Sequence, residues 1–241
     1  MEKGSLLYEG KAKKIFSTNL EDVVHVEYKD SATAFNGIKK AEITGKGRLN
    51  NQISSLIFMK LHEKGIPTHF IKQISDHEQL VKQMSIIPLE VVVRNIAAGS
   101  FSKTFGIEEG TRLKQTIVDL YLKSDELGDP LITEDRIEIL DIAPREEVQE
   151  IKEQALKIND VLKNLFNQIN IELIDFKLEF GKDGNGNILL ADEISPDTCR
   201  LWDKDTNRKL DKDIFRRDLG NLLEAYEEIL KRLGGVSICT K

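Results

Sequence analysis

Alternation of apolar and polar side chains is clearest at residues 171–180, which read IELIDFKLEF. The alternation is interrupted once, at Ile174, and is typical of a β-strand. Side chains two positions apart on a strand share a face, so Asp175, Lys177 and Glu179 are predicted to project together.

A second short strand is predicted to return beside the first. Residues 181–187 are rich in Gly, Asn and Asp, which favour turns, and the apolar run 188–191 then leads to Asp192 and Glu193. The resulting hairpin presents several carboxylates around one lysine. Two interpretations stay open: the carboxylates hold a hard divalent cation, or they form the solvated outer face of an antiparallel hairpin.

The N-terminal residues show strand-like patterning around a basic turn. Apolar residues at 6–8 and 15–16 flank the segment EGKAKK at 9–14, and residues 23–28 alternate as a further strand. Backbone amides in a glycine-containing turn approach phosphate closely, and a lysine supplies positive charge. The turn is therefore a candidate phosphate site, although a solvated hairpin tip has the same composition.

A polar stretch and two helices are predicted next. Residues 29–51 are small, polar and interrupted by glycines, which is typical of a long functional or disordered loop. Helical spacing of apolar residues then predicts a helix that contains Leu49, Ile53, Leu56, Ile57 and Leu61. Ser75 and Glu78 have the spacing of a capping box, so a second short helix carrying Leu80 and Val81 is predicted.

Residues 84–88 are the best candidate for a domain boundary, because a continuous apolar strand follows them at 89–93. That strand ends in Arg94, and the small residues 97–99 lead to Ser100, which is predicted to cap a helix. Small residues, helix amides and an arginine together suit an anion. An internal ion pair for Arg94 is the equally open alternative.

Two amphipathic helices are predicted in the C-terminal half. Apolar spacing indicates one helix over 144–169 and a last helix that Asp211 caps. The buried stripe of the last helix is predicted to contain Ile214, Phe215, Leu219, Leu222, Leu223, Tyr226, Ile229 and Leu233. Arg200 lies just beyond the carboxylate hairpin and is a second candidate for binding an anion.

Composition narrows the function classes. The chain has 241 residues, a net charge of −6, 40% hydrophobic and 32% charged residues, and the acidic balance argues against a nucleic-acid partner. No apolar segment approaches the length of a membrane span, and the N-terminus lacks the apolar region of a signal peptide. Two cysteines are too few for a disulfide framework, and the four histidines lack metal-ligand spacing. Three of the four fall in amphipathic or polar stretches and are predicted at the surface. A cytoplasmic enzyme or binding protein is expected.

A lysine-containing turn and a carboxylate hairpin together match the general layout of an enzyme that uses a nucleoside triphosphate. In that layout a lysine binds phosphates, and the carboxylates hold Mg²⁺, which bridges phosphate oxygens. Arg94 and Arg200 offer planar donor forks for a second anionic group. These patterns predict a Mg-ATP enzyme that acts on an anionic small molecule.

Six stretches of the chain resemble the SAICAR synthetase (phosphoribosylaminoimidazole-succinocarboxamide synthase) family. They are LLYEGKAKKIF at 6–16, TAFNGIKK at 33–40, GKGRLNNQIS at 45–54, VVVRNIAAGS at 91–100, LIDFKLEFG at 173–181 and DEISPDTCRLWD at 192–203. The last three are highly specific, whereas GKAKK is weak by itself. The resemblance runs the length of the chain in one order.

The resemblance implies a two-domain α+β fold with a nucleotide cleft like that of ATP-grasp enzymes and kinases. Residues 1–87 are expected to form an N-terminal antiparallel sheet lid, and residues 88–241 a C-terminal α/β domain for substrate and metal. The family joins the carboxylate of carboxyaminoimidazole ribotide (CAIR) to the amine of L-aspartate in de novo purine biosynthesis. ATP is split to ADP and phosphate through an acyl phosphate, so ATP and Mg²⁺ are the implied cofactors.

The resemblance also assigns roles to positions of this chain. The residues implied to bind the nucleotide are Gly10, Lys11, Ala12, Lys13 and, at the adenine, Ile86. The residues implied to bind Mg²⁺ are Glu179 and Asp192. Arg94, Ser100 and Arg200 are implied to grip the ribotide phosphate, Asp175 and Lys177 to face the imidazole ring, and Asn36 to contact substrate. The implied catalytic residues are Lys13, Asp175 and Lys177.

One departure from the family pattern concerns Asn36, which stands where many relatives carry Asp, so no general base is assigned. The alternative functions are a small-molecule kinase, which yields a stable phosphorylated product without aspartate, and a non-catalytic nucleotide-binding regulator. A homodimer with no nucleic-acid or membrane partner is expected. The stretch 29–51 is a candidate lid, and Glu193 receives no role.

Overall fold

Twelve strands and six α-helices form the described part of this computed structural model, which comprises residues 2–34 and 37–235. The strands are β1 (Lys3–Glu9), β2 (Lys13–Thr18), β3 (Val23–Tyr28), β4 (Ser31–Ala34), β5 (Lys39–Glu42), β6 (Phe70–Gln73), β7 (Glu78–Lys82), β8 (Ser85–Ile96), β9 (Arg112–Leu122), β10 (Ile171–Lys182), β11 (Ile188–Ala191) and β12 (Cys199–Asp203). The helices are α1 (Lys46–Glu63), α2 (Gly99–Phe105), α3 (Glu134–Ile139), α4 (Arg145–Gln168), α5 (Asp213–Arg217) and α6 (Leu222–Arg232). The predicted α+β class is confirmed.

Antiparallel pairing builds two main sheets. The N-terminal sheet has the strand order β1-β2-β3-β7-β6, and the central sheet has the order β11-β10-β8-β9, with β12 also pairing with β10. β4 and β5 form a separate hairpin. The predicted hairpin of β10 and β11 is confirmed, with Glu179 opposite Ala191. On its other side β10 pairs with β8, which sets Asp175 opposite Arg94.

The main apolar core lies between the central sheet and the helices α1, α4 and α6. The buried face of α4 comprises Val148, Ile151, Ala155, Ile158, Leu162 and Phe166, at helical spacing. Each fully buried Leu or Phe side chain contributes about 1.5–3 kcal/mol, so this face fixes α4 against β10. The helix predicted over 144–169 is thereby confirmed to within a residue at each end. Across the described residues, the helices include none with the length and apolarity needed to cross a membrane.

The prediction of a short helix after Ser75 is wrong. Residues 78–82 form β7, which pairs with β3 on one side and β6 on the other. The backbone amides of Ile74 and Ser75 both donate to the Glu78 carbonyl, and Ser75 Oγ donates to Glu78 Oε2. The residues with capping-box spacing therefore close the loop between β6 and β7, because pairing on both sides of β7 outweighs local helix propensity.

The prediction of one long functional or disordered loop at 29–51 is wrong in part, since this stretch contains the β4–β5 hairpin and the start of α1. Asp30, next to the β4–β5 hairpin, connects it to the start of α1. Its carboxylate accepts hydrogen bonds from the backbone amides of Gly45 (3.0 Å) and Gly47 (2.8 Å). Gly45 has a φ of 96°, which a residue with a side chain rarely adopts.

The single C-terminal helix predicted from apolar spacing is in fact two helices, α5 and α6. Asp218 adopts a left-handed φ of 54° and ends α5, and Asn221 caps α6 by accepting from the Leu223 amide at 3.0 Å. Asp211 therefore does not cap the last helix. Its carboxylate accepts from the amides of Leu201 and Asp213 instead.

Two of the four histidines are buried, so the surface position predicted for three of them is wrong for at least one. His25 and His69 are only 7% and 5% exposed. His25 lies on β3, where its ring packs edge-on against Phe16, and the ring of His69 packs edge-on against Phe58. Burial lowers the pKa of His69 to about 3, so this side chain is neutral at physiological pH.

Candidate active site

An open cavity of about 1490 Å³ is lined by residues of both main sheets. Lys13 of β2 and Val81 of β7 come from the N-terminal sheet, and Val92 of β8 and Lys177 of β10 come from the central sheet. The volume exceeds that of an ordinary drug-sized pocket, so it has room for more than one small substrate. The sequence-derived site residues in its lining are Gly10, Lys11, Ala12, Lys13, Ile86, Arg94, Ser100, Asp175, Lys177, Glu179, Asp192 and Arg200. Asn36 lies outside the described residues.

The charged face of β10 points into this cavity, so the interpretation of a solvated outer face is wrong. Glu179 is only 5% exposed, and its Oε1 accepts from Lys177 Nζ at 2.6 Å and from Lys123 Nζ at 2.7 Å. Lys177 also donates to Glu90 Oε1 at 2.8 Å. Burial alone lowers the pKa of Lys177, but the carboxylates of Glu179, Asp192 and Glu90 outweigh burial and raise it well above its ordinary value.

Sequence reasoning missed Glu90 and Lys123, although both line the cavity. Glu90 lies directly opposite Glu179 in the β8–β10 register, and Lys123 directly follows β9. Neither belongs to a local motif, because the contact depends on which strands are neighbours. Only a predicted strand order and register would have found them.

Lys13 faces two consecutive carboxylates. Its Nζ donates to Asp192 Oδ1, and Glu193 Oε2 lies 3.6 Å away. Burial opposes charge on Lys13 and Asp192, but their mutual attraction raises the pKa of the lysine and lowers that of Asp192. Burial raises the pKa of Glu193. Glu193, which had no role from the sequence, is thus part of the site.

The basic turn at residues 10–12 is held by backbone contacts. The Gly10 amide donates to the Lys13 carbonyl, the Lys29 amide donates to the Ala12 carbonyl, and Ser31 Oγ donates to the Lys11 carbonyl. The Lys11 side chain pairs with Asp125 at 2.6 Å. The turn is therefore an ordered wall of the cavity.

Two arginines share one buried aspartate at the other end of the cavity. Arg94 Nη1 and Arg200 Nη1 donate to Asp175 Oδ2 at 3.1 and 2.8 Å. Arg94 is 3% exposed and engages its other nitrogens with Asp119 (2.7 Å) and Tyr121 (3.0 Å). The internal ion pair considered for Arg94 is therefore present, and the residue also lines the cavity.

Gly99 and Ser100 lie where α2 begins, beside Arg200. The φ of Gly99 is 57°, which residues with a side chain rarely adopt, and a Cβ there would lie 2.3 Å from Arg200 Nη2 and displace the guanidinium group. Ser100 does not cap α2 as predicted. It occupies the first turn, and the capping position belongs to Ala98.

A second group of cations was also missed by sequence reasoning. Lys212 and Arg216 line the cavity near Arg200. Lys212 Nζ lies 3.2 Å from Asp197, which also pairs with the fully buried Lys46 at 2.7 Å and accepts from the Tyr226 hydroxyl at 2.6 Å. Burial raises the pKa of Asp197, but Lys46 and Lys212 outweigh it and lower that pKa strongly. Asp197 is thus an anion surrounded by donors.

Comparison with known proteins gives one consistent result. A family model described as SAICAR synthetase matches residues 6–233. The chain is 63% identical, over all of both chains, to a phosphoribosylaminoimidazole-succinocarboxamide synthase of Anoxybacillus flavithermus. The fold is similar to a crystal structure of the enzyme of that name from Ehrlichia chaffeensis, with TM-score 0.94 and 50% identity, covering 97% of this chain and 100% of that one. It is also similar to a SAICAR synthetase (Type-2) in complex with ADP, with TM-score 0.92 and 51% identity, covering 95% and 98%.

Proposed function

The chain belongs to the SAICAR synthetase family, and from this membership we propose that it joins CAIR to L-aspartate as an ATP-dependent ligase of purine biosynthesis. The observation that carries the proposal is the shared cavity. There the basic turn, the carboxylates of β10, the carboxylates that directly follow β11, and two arginines line one space. A kinase or a non-catalytic regulator explains the nucleotide half of that space. Neither function explains why Lys212 and Arg216 also line the cavity.

The nucleotide half lies at the basic turn. The ATP phosphates lie against residues 10–12 with Lys13 as their point charge, and Ile86, which is 43% exposed at the cavity wall, meets the adenine. The similar structure that contains ADP supports nucleotide binding.

The carboxylate half fits a magnesium ion. Glu179 and Asp192 offer hard oxygen donors in the same cavity. Mg²⁺ uses one or two protein carboxylates together with phosphate oxygens, so these two residues suffice as its protein ligands. When bound, Mg²⁺ neutralises charge that develops on the phosphates.

The half of the cavity proposed to bind the ribotide lies beside Arg94 and Arg200. Arg200 and Ser100 bind the ribotide phosphate directly, while Asp175 and Lys177 face the imidazole ring. Arg94 already uses all three guanidinium nitrogens on Asp119, Asp175 and Tyr121. It therefore contributes to phosphate binding chiefly through its charge and by holding Asp175.

The reaction needs activation of a carboxylate, because an amine cannot expel oxide from it. Phosphorylation of the CAIR carboxylate gives an acyl phosphate with a good leaving group, and the aspartate amine then attacks it. Lys13 offsets the negative charge of the phosphates during the first step. Water must stay out because it hydrolyses the acyl phosphate, and the β4–β5 hairpin, whose Thr33 and Ala34 line the cavity, is the proposed lid.

The aspartate substrate carries two carboxylates, and Lys212 and Arg216 are the proposed groups that bind them. Lys212→Met is expected to raise the KM for aspartate about tenfold with little change in the KM for ATP, since it removes a charged hydrogen bond. Steady-state kinetics with each substrate varied in turn measures both values. Lys209→Met is the matched control, because Lys209 Nζ lies over the Trp202 ring at 3.6 Å and outside the cavity lining. Equal effects of the two substitutions would remove Lys212 from the aspartate site.

The proposed reaction predicts that ADP release requires CAIR and L-aspartate together with Mg-ATP. The measurement is ADP release with each component omitted in turn, combined with the mass of the product. Rapid ADP release without CAIR contradicts the ligase. A stable phosphorylated product without aspartate indicates the kinase, and intact ATP after incubation with all substrates indicates the regulator.

Three expectations from the sequence analysis remain part of the proposal. The chain forms a homodimer, which light scattering checks, and it is located in the cytoplasm. It is divided into domains at 1–87 and 88–241, although β8 runs without a break from Ser85 to Ile96 across that boundary.

A further inference from the structure

Asp192 and Glu193 both face the cavity although they are neighbours in sequence. Successive side chains of a regular strand point to opposite faces. Asp192 follows β11 with a left-handed φ of 59°, and this turn of the backbone breaks the alternation. A left-handed conformation is unusual for a residue with a side chain and is held only where the surroundings support it. The local backbone thus directs two adjacent carboxylates to one lysine.

The two carboxylates are not equivalent. Asp192 accepts a hydrogen bond from Lys13 Nζ, while Glu193 Oε2 stands 3.6 Å from the same nitrogen, beyond hydrogen-bond distance. Glu193 is 4% exposed, and its Oε2 has no hydrogen-bond partner in the described part of the chain. A buried carboxylate oxygen without a hydrogen-bond donor lowers the stability of the folded state. A functional role beside Lys13 accounts for the presence of Glu193 despite this loss of stability.

One ammonium cannot balance two carboxylates. Lys13 also lies over the Tyr28 ring, with Nζ 5.3 Å from the ring centroid, which adds a favourable contact but no counter-charge. Lys177 also attracts Asp192 and Lys46 also attracts Glu193, but Lys177 already pairs with Glu179 and Glu90, and Lys46 already pairs with Asp197. A divalent cation bound to Asp192 occupies that carboxylate. Glu193 then becomes the protein anion nearest to the Lys13 ammonium.

We propose that Glu193 is the second partner of Lys13 and takes over its ammonium group when Asp192 turns to the metal ion of the nucleotide complex. The inference rests on the proposed function, since it uses the nucleotide and metal sites described above. Glu193 is then a positioning residue: it holds Lys13 at the phosphates in the loaded enzyme, while Asp192 holds it in the empty one.

Lys13 then has a carboxylate partner both in the empty enzyme, where it is Asp192, and in the loaded enzyme, where it is Glu193. An ammonium has three donors, so Lys13 can bind a phosphate oxygen and Glu193 together. Without Glu193, metal binding at Asp192 leaves a flexible lysine with no protein anion, and its four-carbon stem is free to adopt other rotamers. The proposal therefore predicts that the need for Glu193 depends on the metal.

The test is ADP binding to the full chain by calorimetry, once in EDTA and once in Mg²⁺, for wild type and Glu193→Gln. In EDTA the affinity of Glu193→Gln is expected to match wild type, because Asp192 holds Lys13. In Mg²⁺ it is expected to fall about tenfold, as for a lost charge-assisted contact. In a Lys13→Met background, Glu193→Gln is expected to have no further effect in either medium.

Several outcomes overturn the inference. An equal loss of affinity in both media assigns Glu193 a structural role, and no loss in either medium assigns it none. If Mg²⁺ does not change wild-type affinity, the metal assignment fails and the exchange fails with it, whereas failure of wild type to bind ADP overturns the proposed function itself. Glu193→Asp keeps the charge but withdraws it by one methylene, and it serves the same comparison if Glu193→Gln does not fold.

Discussion

Asp192→Asn is expected to lower turnover at ordinary Mg²⁺ by about 100- to 1000-fold, the usual effect of removing one preorganised charge from a phosphoryl-transfer site. Asp192 lies in the cavity beside Lys13 and is one of two proposed metal ligands. Asn has the same shape and tolerates the left-handed φ of 59° at this position, so the backbone stays in place. The substitution therefore removes charge and little else.

The measurement is the steady-state rate over a range of Mg²⁺ concentrations, together with a thermal unfolding curve that checks the fold. Asp205→Asn is the matched control, because Asp205 accepts from Asn170 Nδ2 at 2.7 Å outside the cavity lining. The control is expected to keep wild-type turnover. Near-normal activity of Asp192→Asn would exclude Asp192 from the metal site.

Arg94→Met is expected to lower the free energy of unfolding by about 3 kcal/mol, because it removes the buried cation that Asp175 shares with Arg200 and the charged partner of the partly exposed Asp119. Arg94 is 3% exposed and bridges Asp119 and Asp175, which are 20% and 5% exposed at the side chain. Methionine retains much of the apolar stem, so loss of packing is a minor part of the effect. Affinity for CAIR is expected to fall as well, since Asp175 loses a group that holds it.

Urea unfolding followed by circular dichroism gives the stability change, and CAIR titration gives the binding change. Arg112→Met is the matched control on the neighbouring strand, because Arg112 pairs with Glu172 while its side chain is 72% exposed. An exposed pair contributes under about 1 kcal/mol, so this variant is expected to be nearly as stable as wild type. A similar small loss for Arg94→Met would contradict the buried ion-pair role, and unchanged CAIR affinity would limit Arg94 to that role.

The sequence by itself was sufficient wherever a pattern is local. The amphipathic spacing of α4 determines which face of that helix is buried, and the alternation of β10 determines which of its side chains share a face, because a helix repeats every 3.6 residues and a strand every two. The motifs at Lys13, Arg94, Glu179, Asp192 and Arg200 named residues that the fold then placed in one cavity. After Ser75 the local pattern predicted a helix, but pairing with β3 forms a strand there instead. At Asp218 a left-handed residue divides the predicted C-terminal helix into α5 and α6.

For the hairpin of β10 and β11, the sequence did not determine what its charged face contacts. Alternation predicted that Asp175, Lys177 and Glu179 share a face, but it left open whether that face meets solvent or a cavity. Only the tertiary structure decided this, because the N-terminal sheet covers the face and brings Lys13, distant in sequence, to Asp192. The same holds for Glu193 beside Lys13, since one left-handed residue redirects its side chain and local patterning does not encode that turn. The types of charge in this site follow from the sequence, and their pairing follows from the fold.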